Sequence, residues 1–298
     1  MNNQGTFRLH PIGPYDFDLS LAFYHRSRFE CLDINDTARF GRLLLLEDIP
    51  VVIRVTPYSR SESTGLRVDW LSTDGAVDSK KLWRLVRRMF YAEGDIDGFY
   101  RHRHDPVMRG LIRRFRGFRP ILTASVFEAA AWAIIGQQVT LHFAFMLKSR
   151  IKTLVNRSIT VDGETHFLFP TAEDIANLDY QKLRSIQLSG RKAEYLLDFS
   201  RLVASGELDP ENMGRLDYDT AYEKLISIRG LGPWTANYIL LRGTGHADAF
   251  PIGDSGINRA VRTLYGLPKK PDIDFLLQLG EKWRPYRSLA SFYLWKSL

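Results

Sequence analysis

The 298-residue chain has a single cysteine, Cys31, and that scarcity removes several functions at once. One thiol cannot close an internal disulfide, furnish a cysteine-rich zinc site or hold a four-cysteine iron–sulfur cluster, so redox chemistry is not expected. No run of about 18 apolar residues is long enough to span a bilayer, and the opening MNNQGTFRLHPIG lacks the basic-then-apolar plan of a secretory signal. An intracellular, cytoplasmic protein without a membrane partner is expected. Fixed-period repeats and low-complexity tracts are missing too, which argues against a solenoid.

What is present is a chain 45% hydrophobic and 25% charged, enough to bury a core in two or three units. Its net charge of +7 fits a polyanionic partner, because each cation that meets a phosphate releases a counterion. The charge is uneven. From Arg101 to Arg119 there are seven arginines and two histidines against one acid, Asp105. Such a stretch could face phosphates, or could be solvated and paired with acids elsewhere.

Residues 1–104 read as an antiparallel sheet with a helix packed on it. Leu43 to Leu46 and Val51 to Val55 are β-rich pieces joined by an acidic turn with Pro50, and GLRVDWLS is a third. In DSKKLWRLVRRMFYA, Leu82, Leu85, Val86, Met89 and Phe90 fall on one helical face. Residues 105–298 read as all-helical, in two halves. Asp105 before Pro106 marks a helix start, and Ser125 with Glu128 and Thr171 with Asp174 are capping-box patterns. VFEAAAWAIIG is apolar on most sides and belongs at the centre of this region. Gly190, Gly206, Gly243 and Gly266 are expected in the loops between helices. The fold class is therefore α+β.

The informative stretch begins with a helix, AYEKLISI, turns through Arg229, Gly230, Leu231 and Gly232, and restarts at Pro233. Two glycines and a proline at a first helical position fit a tight helix-hairpin-helix over about 221–242, whose bare N–H groups can hold a phosphate oxygen without reading a base. The loop GHADAFPIG then leads to Asp254, with Ile257, Val261 and Leu264 continuing at helical spacing. Taken alone, Asp254 reads as an N-cap. Its place 24 residues after Gly230, in the order hairpin, helix, proline loop, aspartate, also admits a catalytic carboxylate.

IRGLGPWTANYILLRG followed by FPIGDSGINRAV resembles the helix-hairpin-helix, Gly/Pro-rich loop and aspartate motif of the DNA glycosylase superfamily (HhH-GPD). PYDFDLSLAF, AAAWAIIGQQVT and EKWRPYRSLASFYLW extend the likeness to the bacterial DNA-3-methyladenine glycosylase II (AlkA) type over nearly the whole chain. The resemblance implies that Asp254 is catalytic and that Gly230, Leu231, Gly232 and Thr235 grip DNA phosphate. It implies that Trp234, Tyr238 and Tyr286 line the base pocket, although each could be core packing, and that Gln138 fills the gap left by a flipped base. Strand-cleaving members carry a lysine where Trp234 stands, so a monofunctional enzyme with water as nucleophile is implied. No cofactor or catalytic metal is implied, only an accessory cation at the Ile228 and Gly230 carbonyls. The expected substrate is damaged double-stranded DNA bearing alkylated purines, the expected enzyme a monomer. Two alternatives stay open: a glycosylase for oxidised or deaminated bases, and a non-catalytic damage-binding protein.

Overall fold

The computed structural model describes residues 3–25, 38–60 and 63–298, so Cys31 lies outside the described residues. The elements run β1 (Gln4–Leu9), α1 (Phe17–Tyr24), β2 (Phe40–Leu46), β3 (Ile49–Arg60), β4 (Ser63–Ser72) and α2 (Ser79–Met89). There follow α3 (Ile96–Arg101), α4 (Pro106–Arg114), α5 (Val126–Gly136), α6 (Leu141–Val155), β5 (Ser158–Val161), β6 (Glu164–Phe167), α7 (Ala172–Ala176), α8 (Tyr180–Ser185) and α9 (Gly190–Ala204). After a 3-10 turn (Pro210–Arg215) come α10 (Tyr218–Ile226), α11 (Pro233–Ile239), a π-helical turn (Leu240–Thr244), α12 (Ser255–Leu264), α13 (Ile273–Glu281) and α14 (Arg287–Lys296). The fold is α+β, as the sequence patterns imply.

The sheet is antiparallel in the order β1-β4-β3-β2. The β2–β3 turn is Glu47–Asp48, both with left-handed φ, as a two-residue hairpin of matching twist demands. Pro50 therefore lies in β3, not in the turn, at a point where β3 extends past β4. Leu44, Ile53 and Val68 face α1 and α2, packing with Leu21, Leu82, Val86 and Met89. Leu43 and Val52 point the other way and meet Val161 and Leu168. The β5–β6 hairpin thus covers the second face, which explains the unbroken apolar run in β2. That hairpin corrects the all-helical reading of residues 105–298.

Around the nearly all-buried α5 lies the larger core, built from helices on both sides of it. Ile96 and Phe99 of α3 pack in this helical core, whereas Ile121 packs with the sheet. Two glycines expected in loops are helical. Gly190 opens α9, and Gly243 lies in the π-helical turn, where an added Cβ would stand 2.9 Å from that of Ala129 on α5. Thr171 and Asp174 form a complete capping box. Ser125 does cap α5, but Glu128 does not reach back to it. Its carboxylate instead accepts the Ala124 N–H at 3.1 Å and pairs with buried Arg42 at 2.7 Å, joining β2 to α5.

Two more guanidinium groups join the sheet layer to the helices. Arg88 of α2 donates to the carbonyls of Gly243, Thr123 and Ala124. Arg119 is fully buried and donates to those of Ile12, Pro14, Tyr91 and Ala92, which removes it from any phosphate-facing surface. Asp105 does comparable work among the helices. It caps α4 and accepts from Tyr265 Oη at 2.9 Å and Trp283 Nε1 at 3.1 Å. Burial opposes its charge, but these bonds and two backbone N–H groups outweigh that and hold its carboxyl below the usual carboxylate range. The stability it contributes is thus present above about pH 4 and lost as pH falls through the lower folded value. Asp105→Ala removes a cap and leaves the fully buried Trp283 donor without an acceptor. It is expected to cost about 2–4 kcal/mol in urea unfolding; a change below about 0.5 kcal/mol, the range of ordinary surface substitutions, would contradict this role.

Candidate active site

The hairpin between α10 and α11 is shaped by its two glycines in different ways. Gly230 has φ +91°, and a Cβ there would sit 2.3 Å from the Tyr195 ring, so both backbone and space demand glycine. Leu231 is 3% exposed and pins the turn to the core. Gly232 is exposed at φ −88°, and a Cβ there would meet nothing within 4 Å. Protein packing does not require that glycine. No side chain caps the first turn of α11.

Thr235 is buried, and its hydroxyl accepts from Gln137 Nε2 at 3.1 Å. The same amide donates to the Gly230 carbonyl at 2.9 Å, strapping the hairpin to the end of α5. Gln138, next in the chain, is exposed with φ +52°. The Ile228 carbonyl accepts from the Leu231 N–H at 3.0 Å. Each of the two carbonyls, Ile228 and Gly230, thus accepts one hydrogen bond.

Asp254 caps α12 and is half-buried. Its Oδ1 accepts the Ile257 N–H at 2.9 Å and Trp295 Nε1 at 2.8 Å, and its Oδ2 accepts Trp234 Nε1 at 3.2 Å. The N-cap and functional readings are thus compatible: one bond serves the helix, two indoles aim the carboxylate. Gly256 makes room for this, since a Cβ there would stand 3.0 Å from Trp295 Cδ1 and 3.1 Å from Asp254 Oδ1. The preceding loop is fixed by polar ties. Asn237 of α11 accepts the Phe250 N–H and the Tyr218 hydroxyl, and Ser288 accepts the Ala249 N–H at 3.0 Å. Asp248 is held by Arg287 through two bonds of 2.8 and 2.9 Å and belongs to this scaffold.

Trp234 and Tyr238 are adjacent, with ring centroids 5.2 Å apart, and Trp295 lies 5.9 Å from Tyr238. Trp132 of α5 donates its indole N–H to the Tyr238 hydroxyl at 2.7 Å. Behind this group is a cavity of about 40 Å³ lined by Trp132, Tyr238, Phe23, Phe145, Glu128 and Lys148 among others. Tyr286 is not part of the cluster. Its ring meets Phe99 and His102, and its hydroxyl donates to Asp95 at 2.7 Å. Tyr286 is the N-cap of α14 and Trp295 its next-to-last residue, so at about 1.5 Å per residue they lie at opposite ends of the helix. Trp295 takes the place expected of Tyr286. Trp132, Gln137 and Trp295 were invisible as site residues because each sits in a segment whose pattern reads simply as buried helix or helix end.

The helix-hairpin-helix thus stands beside an aspartate held by two indole donors. Residues 131–285, more than half of the chain, match the HhH-GPD superfamily base excision DNA repair protein. The DNA-3-methyladenine glycosylase of Bacillus subtilis is 32% identical over 288 residues, spanning 95% of this chain and 94% of its own. The DNA-3-methyladenine glycosylase 2 of Escherichia coli is 28% identical over 193 residues, 63% of this chain and 65% of its own. The solved 3-methyladenine DNA-glycosylase of Archaeoglobus fulgidus superposes with a TM-score of 0.84 at 25% identity, over 97% of both chains. The chain belongs to the HhH-GPD superfamily of base excision DNA repair proteins.

Trp295→Phe keeps a ring beside Asp254 and deletes one of its two indole donors. The single-turnover excision rate on a damaged duplex is expected to fall about tenfold, or ~1.4 kcal/mol, with affinity for abasic duplex unchanged. An unchanged rate would mean that the indole bond does not orient the carboxylate.

Proposed function

We propose that the protein is a monofunctional DNA glycosylase that extrudes alkylated purines, 3-methyladenine and 7-methylguanine, from double-stranded DNA and hydrolyses their N-glycosidic bond. It acts as a monomer in the cytoplasm; among the described residues no helix is long and apolar enough to cross a membrane. The observation that carries the reading is Asp254, a carboxylate held by two indoles beside the helix-hairpin-helix. A pure DNA binder gains nothing from a carboxylate aimed at a polyanion.

The chemistry follows from charge. Alkylation at N3 or N7 makes the purine cationic, weakening its bond to the sugar and favouring the face of Trp234 and its neighbours by up to roughly 2 kcal/mol when desolvated. As the C1′–N bond breaks, its electrons leave with the base and positive charge grows on the deoxyribose. The Asp254 carboxylate stabilises that charge more in the transition state than before it. Water then attacks C1′ and loses its proton, with Asp254 as the nearby acceptor. A cationic leaving group needs no general acid, in keeping with the engagement of Asp248 by Arg287. Trp234 carries no amine to form a Schiff base, so the strand stays intact. The names of the relatives point to 3-methyladenine.

Incubating randomly methylated DNA with the wild type should release 3-methyladenine or 7-methylguanine, resolved by chromatography, without strand breaks. Asp254→Asn should slow release on the order of 100-fold or more. No base released from any lesion would sink the enzymatic reading, and nicking would replace it with a lyase. The hairpin is tested separately by Gly232→Ala. The new methyl meets no protein atom, so stability should stay within about 0.5 kcal/mol while affinity for abasic duplex falls about fivefold by fluorescence anisotropy. Unaltered affinity would place the phosphate contact elsewhere.

A further inference from the structure

Arg229 is the only charged side chain between Lys224 and Arg242, so the hairpin carries one cation of its own. That cation is turned to the protein. Its Nη2 donates to Glu194 Oε2 at 2.9 Å and its Nη1 to Asp198 Oδ2 at 2.7 Å, and its guanidinium carbon lies 5.2 Å from the centre of the Tyr195 ring. Glu194 and Asp198 stand four residues apart and therefore share one face of α9, with Tyr195 beside them. The helix beneath is firmly placed. Lys192 is buried and donates to the Ile135 carbonyl at 2.8 Å, tying α9 to α5, and the Tyr195 ring packs against Gly230 so closely that a Cβ there would overlap it.

All three charged groups stay open to solvent, with side-chain exposures of 63% for Arg229, 43% for Glu194 and 41% for Asp198. Exposed ion pairs of this kind contribute little to stability. What they decide here is where a charge points. A guanidinium that neutralises a phosphate releases a condensed counterion and adds sequence-independent affinity; a neutral backbone N–H adds a hydrogen bond without that release.

We propose that Glu194 and Asp198 withhold Arg229 from DNA phosphate, so that the hairpin grips the backbone through neutral N–H groups and the protein departs sooner from undamaged duplex and from its abasic product. This rests on the DNA-binding glycosylase reading above. The cluster keeps one net negative charge, two carboxylates against one guanidinium, at the edge of the hairpin. Phosphate contacts act alike on every stretch of DNA, so a further cation there would lengthen each stop on intact duplex without improving recognition of a lesion. Glu194 and Asp198 set how long the protein stays and are positioning residues for Arg229, with no part in bond cleavage.

The test compares wild type, the double variant Glu194→Gln with Asp198→Asn, and a triple variant that adds Arg229→Gln. Affinity for undamaged duplex is measured by fluorescence anisotropy across a salt series, beside single-turnover and steady-state excision of one alkylated purine and thermal unfolding. The double variant is expected to bind undamaged duplex about fivefold more tightly at about 0.1 M salt, and the slope of log affinity against log salt to steepen by about 0.9, the signature of one added phosphate contact. Its single-turnover rate should stay within about twofold while steady-state turnover falls, because product leaves more slowly. Adding Arg229→Gln should abolish the gain in both affinity and slope. An unchanged slope in the double variant would overturn the inference, as would a gain that survives in the triple variant, which would trace to the removed acidic charge and not to a released arginine. A loss of affinity with a lowered Tm would also overturn it, by showing that the acids only hold the hairpin in shape. If the wild type binds no duplex at any salt, the DNA-binding reading and this inference fall together. If it binds but releases no base, the glycosylase reading fails, and affinity and slope still decide the role of the two acids.

Discussion

A carboxylate placed beside DNA is repelled by every phosphate in reach, so it keeps its place only if the protein binds it more firmly than the field expels it. In its proposed role Asp254 would meet that constraint with three N–H donors drawn from α11, α12 and α14. Two of these helices are tied to the proline loop by polar side chains: Asn237 holds α11, and Ser288 and Arg287 hold α14, the latter through Asp248. Those side chains are all buried or nearly so. Trp234 and Trp295 both donate to the same carboxylate, so its place and theirs are coupled.

Buried arginines do for the whole molecule what Asn237 does for the loop. Arg88 and Arg119 reach carbonyls on segments distant in sequence, and Arg42 ties β2 to α5 through Glu128. A guanidinium offers five donors in a rigid fork, so one side chain can satisfy several orphan carbonyls where irregular backbone is buried. The sheet layer therefore meets the helices through directional bonds as well as apolar packing.

Much of this was legible from residue order. The hairpin declared itself through Gly230, Gly232 and Pro233, and Asp254 through its spacing; both signals are local and follow from backbone geometry. Helix starts at Asp105, Ser125 and Thr171 were readable for the same reason. What failed was non-local. β5 and β6 are four residues each and gain their order from Leu43 and Val52 across the sheet. Tyr286 is a plausible pocket residue in sequence, and only the direction in which α14 runs past Asp254 brings Trp295 there instead. Arg119 looked like its solvent-facing neighbours because burial by carbonyls leaves no periodic trace.

The helix that supplies Trp295 is the last in the chain order, and Arg287 at its start holds the loop that precedes Asp254. During synthesis the hairpin and the aspartate emerge first, without these supports. If Asp254 acts as proposed, a chain whose α14 has not yet docked lacks Trp295 beside that carboxylate and Arg287 beside Asp248, so base release waits on completion of the fold.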